Sequence, residues 1–170
     1  DNGDNGLDAS DTTFSRFTGN VFYANSTVGD GHATGMRLVT GSHDNVVDRN
    51  PAYDNQDTGS QTSGGSNQRN LFPRNLSYAN QDHGFDIRDC DSPRVVSNTA
   101  ANNVNDGYSI EGNVTNAYLR NNIAQDNGIF TNGNELWVDT GSTTGFSSDY
   151  DVLHRASALS TMIIFRGVAY

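Results

Sequence analysis

Four aspartates fall at related positions of a recurring frame: Asp57, Asp82, Asp86 and Asp106. Asp57 and Asp82 stand two residues before the frame glycines Gly59 and Gly84, Asp106 stands one before Gly107, and Asp86 stands two after Gly84. If frame positions stack, carboxylates one rung apart repel unless something neutralises them. Several oxygen ligands converging from a rigid backbone at about 2.3–2.6 Å are what Ca2+ takes. The pattern therefore points either to a Ca2+ site or to solvated aspartates that cap turns. Beside them, His83, Arg88, Asp89 and Asp91 complete the densest charged patch, and Arg37 shares the frame column of Asp86. Arg88 and Glu111 are expected to meet across coils as an exposed ion pair of little energetic weight. A basic side chain can remove a proton that a neighbouring metal and carboxyl group have acidified. The chain has no Lys, so that role would fall to Arg37, Arg88 or His83, each of which has a plain surface role as its alternative.

The element that positions these groups is the frame itself. Asn75 is followed by Asn80, Gly84 and the triplet Phe85, Asp86, Ile87; the same order recurs at Asn50, Asn55, Gly59 and at Asn98, Asn103, Gly107. It recurs once more at Asn20, Asn25, Gly35 with a six-residue insertion, and in part around Asn2 and Asn122. The steps from Asn50 to Asn75, Asn98 and Asn122 are 25, 23 and 24 residues. A fixed period of this size marks a solenoid and overrides local propensity. One apolar residue per coil precedes the first Asn by three: Phe17, Val47, Phe72, Val95, Leu119. The alternation after each Gly reads as a strand, and segments such as DNVVDRN read as a second. Two strands per coil of ~24 residues imply an all-β parallel β-helix with like positions about 4.8 Å apart. Stacked Asn side chains both donate and accept, so the two Asn columns are expected to form ladders.

Departures from the period carry their own expectations. The insertion at Ser26–Thr34 brings Asp30 and His32 to what is often the binding face of a solenoid. Residues 1–128 are read as coils, and 129–170 as an irregular last coil with closing strands of the same domain, in which Trp137, Tyr150, Leu153 and Met162–Phe165 cover the C-terminal end. Cys90 is alone, which excludes a disulfide framework and makes a small half-buried residue near a turn the expected role. The sequons at Asn25 and Asn75 fall on ladder positions where a glycan would not fit.

The net charge of −10 with ten arginines excludes nucleic acid as a natural partner, since phosphate binding needs a basic face. An acidic polysaccharide would require a bridging cation or a local group of arginines. No apolar run is long enough to span a membrane, so membrane insertion is not expected. A start at Asp1 inside a repeat suggests a mature or excised piece of something longer. The composition suggests secretion or display at a cell surface, as a monomer unless exposed end coils pair.

The frame Asn-x4-Asn-x3-Gly, with DNGDNGLDA and NQDHGFDI, resembles the right-handed parallel β-helix repeat proteins of bacteria. The Gly-Leu-Asp and Gly-Phe-Asp turns are similar to those of the family-nine pectate lyases, and the FSSDYDVLHR…MIIFRGVAY tail resembles the end of secreted β-helix domains. The resemblance covers essentially the whole chain. It implies a groove for a uronate polymer, Ca2+ held by aspartates (Asp57, Asp82 and Asp86 here) and a basic residue as proton acceptor in a polysaccharide lyase. The family's catalytic Lys has no counterpart in this sequence. The scaffold also hosts non-catalytic proteins, and a structural, adhesive or carbohydrate-binding segment of a larger surface protein is the alternative.

Overall fold

A computed structural model describes residues 4–27, 33–156 and 161–170. The inserted Asp30 and His32 lie outside the described residues. Among those described there is no helix, and twenty short strands form three stacks. The first sheet contains β1 (Leu7–Ser10), β4 (Met36–Val39), β7 (Ser60–Gln68), β10 (Phe85–Asp91), β13 (Tyr108–Glu111), β16 (Leu136–Val138) and β19 (Ile163–Phe165). The second contains β2 (Arg16–Thr18), β5 (Val46–Asp48), β8 (Leu71–Pro73), β11 (Arg94–Val96), β14 (Tyr118–Arg120) and β17 (Ser147–Asp149). The third contains β3 (Phe22–Tyr23), β6 (Pro51–Tyr53), β9 (Leu76–Tyr78), β12 (Thr99–Ala101), β15 (Ile123–Gln125) and β18 (Val152–His154). All these pairings are parallel; only β20 (Val168–Ala169) turns back antiparallel, on β19.

Each coil thus has three strands, one more than the two expected. The extra strand is the stretch between the two frame asparagines, such as Pro51–Tyr53. Single residues with positive φ bend the chain on either side of it, Arg49 at φ 55° and Asp54 at φ 53°. Corners of this kind fall on Arg, Ala and Tyr as well as on the Gly, Asn and Asp that turn chemistry favours. The stacked coils hold those left-handed conformations in place.

Inside the coil the first sheet supplies large apolar residues, Met36, Leu38, Phe85, Ile87, Tyr108 and Ile110, all at most 1% exposed. The second sheet adds Val47, Phe72, Val95 and Leu119, which is the apolar column seen in the sequence. The third adds small residues in its middle coils, Ala52, Ser77, Ala100 and Ala124, with Phe22 and Leu153 at the two ends of that column. Both Asn columns form ladders. Asn50 Nδ2 donates to Asn75 Oδ1 at 3.0 Å, Asn75 Nδ2 to Asn98 Oδ1 at 3.0 Å, and Asn98 Nδ2 to Asn122 Oδ1 at 3.1 Å. Asn55, Asn80, Asn103 and Asn127 repeat the pattern at 2.8–2.9 Å. The frame glycines face these ladders closely: a Cβ on Gly84 would lie 2.7 Å from Gly107 O and from Asn103 Nδ2.

Each ladder ends on a carboxylate that the repeat does not predict. Asn122 Nδ2 donates to Asp151 Oδ1 at 2.9 Å, and Asn127 Nδ2 to Glu135 Oε2 at 2.6 Å. Glu135 is fully buried, and Arg155 Nε pairs with it at 3.1 Å. Past residue 128 the chain still supplies one strand to each sheet, β16, β17 and β18, in register with the coil below. Leu153 and Phe165 pack on the core there. Trp137, expected among the residues covering the stack's end, stands instead on the outer face of the first sheet, because its neighbours Leu136 and Val138 take the inward positions. Cys90 is buried, and burial pushes its thiol up to about 12.

Candidate functional site

Since inward positions of the first sheet alternate with outward ones, the parallel register aligns one outward residue per coil: Asp8, Arg37, Gln61, Asp86, Ser109 and Trp137. A second outward column carries Val39, Ser63, Arg88 and Glu111. Arg37, Arg88 and Asp89, with Val39, Gln61 and Ser63, line a groove of about 340 Å³. On the far side of Asp86, His83, Asp106, Glu111 and Trp137 line a second hollow of about 280 Å³. Of the expected proton-handling residues, His83 and Arg88 lie beside Asp86, while Arg37 shares the face two coils away, beyond Gln61.

Asp86 faces outward yet is only 2% exposed, because longer neighbouring side chains cover it. Gln61 Nε2 donates to its Oδ2 at 2.7 Å, while Oδ1 is buried with no hydrogen-bond partner. Burial pushes its carboxyl up to about 7, against the Gln61 hydrogen bond and the His83 charge; Glu111 adds to the rise and Arg88 opposes it. Burial also raises Glu111, which Arg88 counters through a 3.2 Å contact from Nε to Oε1. This is the cross-coil ion pair expected from the sequence.

His83 is nearly buried, with Nδ1 3.2 Å from Asp106 Oδ2 and Nε2 3.5 Å from Asp82 Oδ1. The Asp106 amide nitrogen also lies 3.2 Å from Nδ1. A neutral ring would accept that amide, whereas the charged ring donates to the carboxylate instead. Burial works to lower the imidazole pKa, but the Asp106 hydrogen bond and the charges of Asp82, Asp106 and Asp86 outweigh it and raise it to about 9. The charged ring is thus the form at neutral pH, and a proton-acceptor role for His83 requires a pH above about 9.

The four aspartates each accept from a different partner. Asp106 Oδ1 accepts from both Asn134 N and Nδ2, at 2.6 and 2.9 Å. Asp82 Oδ1 accepts from Asn105 Nδ2 at 3.1 Å, and Asp57 Oδ2 accepts from Thr34 Oγ1 at 3.2 Å. Among the described residues no group of three or more His, Cys, Asp or Glu side chains could hold a metal ion. Asp86 offers one unpartnered oxygen, but with His83 and Arg88 as its charged neighbours it sits opposite cations already. This donor set does not fit a shared Ca2+ site.

Sequence reasoning passed over Gln61, the partner of Asp86, although its place in that column was visible. It also passed over the group of Arg16, Arg49 and Arg74 around Asp48 on the second sheet; Arg49 and Arg74 each precede a frame asparagine, and that recurrence was the available signal.

Comparison with curated proteins finds no match. Among solved structures, the chain is similar to the A-module of the Azotobacter vinelandii mannuronan C-5 epimerase AlgE6, with a TM-score of 0.68 and 22% identity over 91% of this chain and 40% of that one. It is also similar to a mutant of the periplasmic alginate epimerase AlgG, with a TM-score of 0.66 and 17% identity over 94% of this chain and 41% of that one. The chain spans about two fifths of the length of either, and at these identities the likeness is one of fold. The model of the right-handed beta helix region matches residues 1–149, and with the stacked parallel sheets and their ladders this places the chain in that family.

Proposed function

We propose that this protein is a polysaccharide-directed β-helix whose first-sheet groove receives an acidic, uronate-type polymer outside the cytoplasm, at the cell surface or in secreted form. The observation that carries this reading is the pair Arg37 and Arg88 lining one groove on a chain of net charge −10. Guanidinium groups match carboxylates in a planar, two-pronged way that no other side chain does. Solved relatives in fold are named as epimerases of mannuronan and alginate, one of them periplasmic, which supports both the substrate class and the setting. Gln61 and Ser63 on the groove floor supply hydroxyl partners for sugar rings.

Whether the site acts on the polymer or only holds it turns on Asp86 and His83. Asp86, with a carboxyl raised to about 7, can exchange a proton near neutral pH, and protonated His83 beside it can donate one. Binding without turnover, as in a carbohydrate-binding segment of a larger surface protein, is favoured by the burial of Asp86 under its neighbours. Gel electrophoresis through polygalacturonate or alginate tests the common core of both readings. Retardation is expected with and without a chelator, and is expected to disappear in the Arg37→Gln/Arg88→Gln variant. Unchanged mobility of the wild-type chain across both polymers refutes the reading. Ultraviolet absorbance of unsaturated uronates, followed at neutral pH and above pH 9, then separates lyase action from binding.

A further inference from the structure

A second concentration of cations lies on the outer face of the second sheet and at its corner with the third, away from the groove just described. Arg16, Arg49 and Arg74 surround the single carboxylate of Asp48, whose side chain is fully buried beneath them. Arg74 holds it in a two-pronged pair, Nε to Oδ1 at 3.0 Å and NH2 to Oδ2 at 2.9 Å. Arg16 NH2 reaches Oδ2 at 2.7 Å and Arg49 NH2 at 3.3 Å. These contacts and their charges hold the Asp48 carboxyl below its usual range even though burial works the other way. One carboxylate thus faces three guanidinium groups, each more than half exposed, at 55%, 63% and 56%.

The excess continues along the same sheet. Arg94 and Arg120, from the next two coils, both lie over the ring of Tyr118, at 4.5 and 4.2 Å. The ring's face attracts each of them, but neither guanidinium gains a carboxylate partner by this arrangement. Five of the ten arginines are therefore gathered on one side of an acidic molecule, with Asp48 and Asp149 as the carboxylates on the strands of that sheet. Between Arg16 and Arg74 the surface is concave and apolar: Val46, Leu71, Pro73 and Val96 floor a hollow of about 300 Å³.

We infer that this second-sheet face is a separate binding site for an acidic polysaccharide, with the apolar floor taking the carbon face of a sugar ring, Arg16 at the rim of the hollow taking its carboxylate, and Arg49, outside the hollow on the same Asp48, adding positive charge beside it. The two-pronged pair with Arg74 and the 2.7 Å contact from Arg16 already give both oxygens of Asp48 a donor, so Arg49, at 3.3 Å and 63% exposed, is the least committed of the three. Charge density selects among polyanions. Nucleic acid carries about one charge per 1.7 Å of duplex, more than this local group of arginines can match. A polymer with one carboxylate per sugar ring matches a local excess of a few charges beside an apolar hollow.

The test uses the full chain and polygalacturonate as probe, with its fully methyl-esterified form as the uncharged control. Arginines protected by polymer from modification with phenylglyoxal are mapped by mass spectrometry. Protection of Arg16 and Arg49 is expected with the acidic polymer and not with the ester, and is expected to persist in Arg37→Gln/Arg88→Gln, which disables the first-sheet groove. Affinity for polygalacturonate in Arg16→Gln/Arg49→Gln, with Arg74 left in place to hold Asp48, should fall about tenfold, equivalent to about 1.4 kcal/mol. The inference is overturned if Arg16 and Arg49 react equally with and without polymer, if the double variant keeps wild-type affinity, or if single-stranded DNA protects them better than polygalacturonate. The protection map needs no substitution at this site, so a misfolded variant does not shield the inference from refutation. Loss of protection at Arg37 and Arg88 alone would instead refute only the first-sheet reading.

Discussion

Replacing Asp86 by Asn should stabilise the protein at pH 8 and leave it nearly unchanged at pH 4. The folded chain raises this carboxyl from 3.8 to about 7, with burial as the leading cause. Its proton is therefore held more tightly in the folded than in the unfolded chain. Below about pH 4 both states are protonated and the group has no effect on stability. Between pH 4 and 7 the unfolded chain releases its proton first, so stability falls as pH rises, and above pH 7 the loss is complete. A shift of roughly three units at 1.36 kcal/mol each sets the loss on the order of 4 kcal/mol. His83, Arg88, Glu111 and Gln61 are the groups facing Asp86. Removing the carboxylate also weakens the hold on the His83 proton, which trims the gain to about 2–4 kcal/mol. Asn keeps the oxygen that Gln61 Nε2 reaches at 2.7 Å, and its amide occupies the place of the unpartnered Oδ1, where protonated Asp would carry its hydroxyl. Guanidinium unfolding of both proteins at pH 4 and 8 reads the difference directly as a midpoint shift at constant slope. A variant less stable than wild type at pH 8 would show that the charged Asp86 is a net stabilising partner of His83 and Arg88, and the account of a buried, neutralised carboxyl would fail.

Two further perturbations probe the scaffold. Arg155→Ala strands the buried Glu135 carboxylate that ends a ladder, and should cost about 3–5 kcal/mol; a midpoint within experimental error of wild type would contradict the role given to this pair. Asn80→Ala deprives Asn55 N and Nδ2 of their acceptor and Ala52 O and Asn103 Oδ1 of a donor, and should cost about 2–4 kcal/mol. The same change at exposed Asn20, near the open end of the other ladder, should cost below about 1 kcal/mol, and equal effects at the two sites would count against cooperative ladders.

What the sequence disclosed depends on whether a feature repeats. The ladders, the inward column of Val47, Phe72, Val95 and Leu119, and the register that puts Arg37, Gln61 and Asp86 in line all follow from the period, because stacking converts a spacing of 23–25 residues into contact. The third strand escaped because it is three residues long with a single small inward side chain, Ala52 in β6 or Ala100 in β12, so there was no alternation to see. Trp137 was misplaced because an apolar residue in the irregular last coil gives no sign of which way it faces. The engagement of Asp106 depends on Asn134, in the non-repeating stretch before β16, and could not be read from any column. That single loop residue takes up one of the oxygens a Ca2+ site would have used.

Stacking also limits where charge can gather, and this gives the second-sheet cluster its weight. Identical positions on adjacent coils sit about 4.8 Å apart, so a column of like charges repels itself along its whole length. The first-sheet column obeys this limit: Asp8 precedes Arg37, neutral Gln61 separates Arg37 from Asp86, and Ser109 follows. Arg16, Arg49 and Arg74 evade the limit only in part. Arg16 belongs to a strand, while Arg49 and Arg74 share a corner column and stack one coil apart, a repulsive placement that Asp48 moderates without cancelling. A fold that places Ser97 and Asn121 at the equivalent corners carries a cation at Arg49, one of three guanidinium groups on the single Asp48 carboxylate. Asp48 balances one of these three positive charges, and an external carboxylate is what the remaining two are placed to meet.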